Sequence, residues 1–124
     1  MNLVNIKQAQ RHKISHPMFR GPEVEMKVEV EMQELAGASE QLVVNNVHFS
    51  KGVRCKWHAH DQEQIIMVSG GKGVVALEDE EKIVTEGDVI VIPKGAKHWH
   101  GSDDSEFSQI YITVKGEKVT VLED

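Results

Sequence analysis

The chain contains one cysteine, Cys55, in 124 residues. A lone thiol cannot close an intramolecular disulfide, so a disulfide scaffold is excluded and a reduced, cytoplasmic setting is expected. Cys55 itself is read as a small buried hydrophobe. Basic residues are also few: 14 Lys and Arg stand against 20 Asp and Glu, for a formal charge of −6. That balance argues against nucleic acid or an anionic membrane, both of which attract basic patches, and neither is expected as a partner. No apolar run approaches the roughly 20 residues needed to cross a bilayer. No charged segment leading into an apolar one opens the chain, so no signal peptide is expected. Helical periodicity is missing as well, since apolar residues nowhere recur at three and four for long.

What remains is a strand pattern in a chain long enough for one domain with its own core. Residues 1–22 have weak periodicity, broken at Pro17, Gly21 and Pro22, and read as an irregular N-terminal arm ahead of a β domain over 23–124. From 24 to 35, Val24, Met26, Val28, Val30 and Met32 alternate with charged residues, the signature of a half-exposed strand. Further strands are expected over 42–49, 53–57, 64–69, 74–77, 82–85, 89–92, from 98, over 107–114 and over 118–122. Gly70-Gly71-Lys72-Gly73 reads as a turn, and Glu78-Asp79-Glu80-Glu81 as a solvated hairpin tip. Many short strands separated by turn signals indicate an all-β antiparallel sandwich or barrel. Residues 65–68 and 89–92 are apolar at every position, so something must cover their outer sides. The alternating N-terminal strand or a second subunit would serve.

Four of the seven histidines fall at 58, 60, 98 and 100. Side chains at alternate positions of a strand share a face, so His58 and His60 point the same way, and Gln64 shares their parity. Glu63 has the opposite parity, which makes Gln64 the better ligand candidate. His98 can close the group from a second strand. Facing inward, these four would fill four positions around a metal ion and leave one or two for water or substrate, as at a catalytic site. A single His-x-His is read equally well as two ordinary polar residues at a barrel mouth; the full pattern is more specific. His100 shares the parity of His98 and is the candidate for proton transfer, either as a general base or as a hydrogen-bonding residue beside the ligands. Trp57 and Trp99 alternate with the ligands and should face away from them.

Gly52-(five residues)-His58-Ala59-His60-(three residues)-Gln64-(six residues)-Gly71 resembles the first motif of the cupin superfamily. Gly87-(five residues)-Pro93-Lys94-Gly95-(two residues)-His98 resembles the second. The chain departs from the pattern at Gln64, where glutamate is usual, and at Ser102, where asparagine is frequent. The resemblance implies a double-stranded β-helix barrel, a homodimer, and a divalent metal held by His58, His60, Gln64 and His98. It also places Asn45, Val47 and Phe49 facing the metal as walls of a substrate pocket, with plain core packing the competing reading for Val47 and Phe49. Gln109 is a further pocket candidate from the last long strand. The run through His98-Trp99-His100-Gly101 is similar to a narrower group of single-domain cupins, which includes cupin hydroxynitrile lyases with manganese or iron and relatives of carboxymuconolactone decarboxylases.

Three imidazoles and an amide are neutral, so a divalent ion among them keeps its full +2 charge and favours anionic groups such as carboxylate, enolate or cyanide. This favours lyase or general acid–base chemistry on a small organic molecule. A ferrous dioxygenase and a non-catalytic small-ligand or metal-binding module are the competing readings. Manganese or iron is the expected ion, with zinc and nickel compatible with the same donors.

Overall fold

The structure is a computed structural model that describes residues 1–22 and 28–124. Its strands are β1 (His12–Ile14), β2 (Phe19–Arg20), β3 (Val30–Glu34), β4 (Leu42–Phe49), β5 (Arg54–Cys55), β6 (His58–His60), β7 (Gln64–Leu77), β8 (Glu81–Thr85), β9 (Val89–Ile92), β10 (His98–Gly101), β11 (Phe107–Val114) and β12 (Val119–Val121). Pairing is antiparallel throughout. One sheet runs β1-β3-β4-β11-β7-β9; the other gathers β8, β10, β5, β2, β6 and β12 around the second half of β7.

β7 belongs to both sheets. Its first half pairs with β11 and β9, and its second half with β10 and β8. The glycine run expected to be a turn is therefore a corner inside one 14-residue strand. Gly71 has φ +70, and a Cβ there would strike the Glu106 carbonyl. At Gly73 a Cβ would stand 2.5 Å from the Phe107 ring and 2.7 Å from the Gly101 carbonyl. The bend and the close approach of two neighbouring strands require these glycines. A register shift between Ser108 and Gln109 accompanies the corner on β11.

Between the sheets lie Val47, Phe49, Ile66, Val68 and Phe107, all buried. Phe49 stacks on Phe107 at 5.9 Å between centroids and receives the edge of Phe19 at 6.0 Å. Each fully buried ring contributes about 1.5–3 kcal/mol of transfer free energy.

The N-terminal arm differs from its expectation. It supplies two short strands, β1 against β3 and β2 against β5, one to each sheet. Of the strand expected over 24–35, positions 24–27 lie outside the described residues, and β3 occupies Val30–Glu34. β3 extends the first sheet sideways from β4 and does not lie across its outer face. Ile65, Met67, Val89 and Val91 on that face remain 36 %, 38 %, 60 % and 57 % exposed. No helix among the described residues is long and apolar enough to cross a membrane.

Candidate metal centre

β6 is only three residues long, yet it is held on both edges. His58 pairs with His98 of β10, and Val119 and Val121 of β12 pair with His60 and His58. The Pro93-to-Ala96 turn places β10 beside it: Gly95, at φ +77, donates its N–H to the His60 carbonyl at 2.8 Å. Pro93 and Gly95 therefore serve the site through the backbone, aligning His98 with the first histidine pair.

His58, His60 and His98 converge with their ligand-capable nitrogens within 4.8 Å of one another, and all three are buried. Ring centroids are 4.2 Å apart for His58 and His98, 5.0 Å for His58 and His60, and 5.3 Å for His60 and His98. Each Nδ1 faces an acceptor: the Lys56 carbonyl at 2.6 Å for His58, the Ala96 carbonyl at 2.9 Å for His98, and Glu117 Oε1 at 2.6 Å for His60. The ring proton therefore sits on Nδ1, and each Nε2 is left as a lone pair. His58 Nε2 and His60 Nε2 have no partner among the described residues. Gln64 Oε1 lies 3.2 Å from His98 Nε2. With the His98 proton on Nδ1, these are two acceptors face to face, an arrangement that is unfavourable unless a cation lies between them. The residues present fit a divalent metal ion.

Burial, helped by the neighbouring imidazoles, keeps His58 and His98 neutral. Desolvation, followed by repulsion from His98, pushes His58 down to about 3. Desolvation, outweighing the Ala96 carbonyl, pushes His98 down to about 4. Metal ligation requires neutral imidazole, and His58 and His98 supply it.

The three histidines, Gln64, Val47, Phe49, His100 and Gln109 are all buried. Apart from His98, they line one cavity of about 440 Å³, to which Ile14, Met18, Phe19 and Met32 add apolar walls. The volume and mixed lining suit a small organic molecule. A second depression of about 520 Å³, among Arg11, Lys13, His48 and Glu106, contains none of the three histidines or Gln64.

Asn45 departs from the pocket that the resemblance implies. It is not among the residues lining the cavity; its Nδ2 donates to the Tyr111 hydroxyl at 2.8 Å, and Tyr111 is the residue that reaches the cavity. His100 does face the cavity. Its Nδ1 receives the Gln109 Nε2 hydrogen bond at 2.8 Å, and Cys55 Sγ lies 3.7 Å away. Burial, then the charges that His58, His98 and His60 would carry, hold its pKa well below the ordinary value. Cys55 is 2 % exposed, and burial pushes its thiol up to about 12, as for an inert buried hydrophobe.

Glu63 is exposed and Gln64 buried, as strand parity requires. Trp57 and Trp99 pack edge to face at 6.4 Å, with Arg54 4.7 Å above Trp99 and Lys97 5.4 Å above Trp57. Ser102 accepts the Gly52 N–H at 3.1 Å, tying the start of the first motif to the end of the second. Two further residues belong to the site, Glu117 and Tyr111. Glu117 follows a turn at Gly116 and belongs to no alternating pattern. Tyr111 shares the parity of Gln109, and that alone could have found it.

A curled antiparallel barrel with three buried imidazoles converging inside it defines a small-barrel protein with a candidate divalent-metal site. The chain belongs to the cupin superfamily: the cupin domain family (Cupin_2) matches residues 45–115. The chain is 34% identical over 89 residues to an (R)-mandelonitrile lyase of Granulicella tundricola, covering 69% of this chain and 55% of the relative. It thus spans about half the length of that relative. Among solved structures, a cupin-like protein of Thermotoga maritima superposes with a TM-score of 0.79 at 28% identity, over 98% of this chain and 90% of that one. The polyketide cyclase RemF of Streptomyces resistomycificus superposes with a TM-score of 0.80 at 17% identity, over 98% and 85% of the two chains; at that identity the likeness is one of fold.

Proposed function

We propose that this protein is a metal-dependent lyase acting on a small organic molecule, with His58, His60, Gln64 and His98 as the ligands of a manganese or iron ion. The observation that carries the reading is the set of three buried imidazoles converging beside a largely apolar cavity. The similarity to an (R)-mandelonitrile lyase supports cyanohydrins as the substrate class to test first. A bound divalent ion would supply positive charge for a developing anion. The chain's own residues do the rest. Apolar walls from Ile14, Met18, Phe19, Val47 and Phe49 exclude water from the reacting group. His100 handles the proton: as the carbon–nitrile bond breaks, cyanide leaves with the bonding pair and takes the proton from His100 Nε2, and the hydroxyl proton released as the carbonyl forms returns to that nitrogen. His100 lies at the cavity wall in neutral form, and the Gln109 amide occupying Nδ1 leaves its ring proton on Nε2.

The test is metal analysis of protein purified without added metal, followed by turnover of mandelonitrile to benzaldehyde and cyanide. Stoichiometric manganese or iron is expected, with activity abolished by chelation and by His58→Ala. Turnover that survives both treatments sinks the reading. Substrate-dependent oxygen consumption with iron, in the absence of cyanide release, replaces it with the dioxygenase.

We also propose that a second copy of the chain covers Ile65, Met67, Val89 and Val91. These four are adjacent across strands, Ile65 opposite Val91 and Met67 opposite Val89. A contiguous apolar face of this kind is the ordinary mark of an interface.

A further inference from the structure

Four buried side-chain atoms have no hydrogen-bond partner among the described residues: His58 Nε2, His60 Nε2, Glu117 Oε2 and Gln109 Oε1. The two imidazole nitrogens belong to the metal cluster, where a cation satisfies them. Glu117 Oε2 is the second oxygen of a carboxylate already engaged with His60 through Oε1. Gln109 Oε1 has no such account. The residue is 0 % exposed, and its other end is taken, since Nε2 is hydrogen-bonded to His100. On β11, Gln109 stands opposite Val47 of β4 and Val68 of β7, so neither cross-strand neighbour carries a side-chain donor. Buried amide oxygens are almost always paired, and one left bare on a residue that lines the cavity is open to a donor entering from the cavity.

We propose that Gln109 Oε1 is a recognition point for the ligand, accepting a hydrogen bond from an O–H or N–H on a small molecule with an apolar body. Phe19, Met32, Val47 and Phe49 on the same cavity wall take that body. Tyr111, two residues further along the same strand face, adds the opposite polarity. Its oxygen accepts from Asn45, which leaves its own proton for an acceptor on the ligand. This inference rests on the reading that the cavity holds a small organic molecule, and it names the group on that molecule which the protein reads.

The test is a ligand-observed NMR titration of the purified protein, with its metal and again after chelation, using benzyl alcohol, benzyl methyl ether and toluene. The three share a ring, and only the alcohol carries a donor; toluene controls for the bulk of the ether. The alcohol is expected to bind roughly tenfold more tightly than either, the usual scale for a buried acceptor gaining its partner. Gln109→Met should bring all three probes within about twofold of one another. Equal binding by the unaltered protein overturns the proposal and assigns Oε1 to a buried water. So does a full preference for the alcohol in a folded Gln109→Met protein, or the absence of binding by any probe. If the variant does not fold, the comparison of the three probes on the unaltered protein decides alone. Cyanohydrin cleavage is measured separately: alcohol preference without cleavage removes the lyase reading and leaves this one standing.

Discussion

His60 Nδ1 lies 2.6 Å from Oε1 of Glu117, a residue 57 positions further along the chain. A carboxylate accepting the imidazole N–H fixes the tautomer, turns Nε2 toward the cluster and raises its strength as a donor. The relationship also alters the charge balance inferred from the ligand residues. His58, His60, Gln64 and His98 are neutral donors, but a carboxylate stands one ring away from the site they form. The full +2 charge expected from the donors alone is offset at that distance.

Glu117→Gln keeps the shape and removes the charge. Metal affinity should fall by roughly 10–100-fold while the circular dichroism spectrum stays unchanged. Competition with a chromogenic chelator measures it, and an affinity equal to that of the unaltered protein would show that Glu117 has no part in holding the ion.

Acid should destabilise the metal-free protein in two stages. His58 and His98 are held at about 3 and about 4 when folded, below the ordinary 6.5, so the unfolded chain binds more protons and stability falls as pH drops from about 6.5 toward 4. Glu123 acts lower. Burial pushes it up, but the Trp57 N–H, Arg20 and Arg54 outweigh this and hold it at about 2, below its ordinary 4.5. Its contribution is fully present above about pH 4.5 and is lost as pH falls toward 2. In urea titrations from pH 7 to 3, Glu123→Gln should remove on the order of 2 kcal/mol at pH 7 and flatten the curve below pH 4.5. Parallel curves for the two proteins would refute the assignment.

The corner in β7 should resist any side chain. Gly73→Ala pushes a methyl group into Phe107 and the Gly101 carbonyl, and a cost of roughly 1–3 kcal/mol is expected. Chemical denaturation reads this directly. An unchanged midpoint would mean that the two sheets can separate at the corner without penalty.

The outer face of the first sheet makes a prediction about assembly. Val91→Lys places a charge among Ile65, Met67 and Val89 and should convert a dimer to a monomer in sedimentation velocity, with metal content retained. A monomeric unaltered protein, or a dimer that survives the substitution, would locate self-association elsewhere or exclude it.

Strand parity was legible because alternation is a local property of the extended chain. It placed Gln64 inside and Glu63 outside, and turned Trp57 and Trp99 away from the histidines. The extents of β4 and β11 could be read from residues 42–49 and 107–114 alone. Asn45 shows the limit of parity. It shares a face with Val47 and Phe49, yet its amide is spent on Tyr111, and a partner across strands cannot be read from spacing along one strand.

By itself, then, the sequence determined the all-β class, the cupin motifs and the histidines that come together, since each depends on residue type and short-range period. Only the tertiary structure decided that a glycine run is a corner shared by two sheets, that the N-terminal arm joins both of them, and that Glu117 belongs to the site. Those outcomes depend on which distant strands pair and in what register. That pairing is set by hydrogen bonds and packing between segments dozens of residues apart, and it leaves no periodic trace in either segment alone.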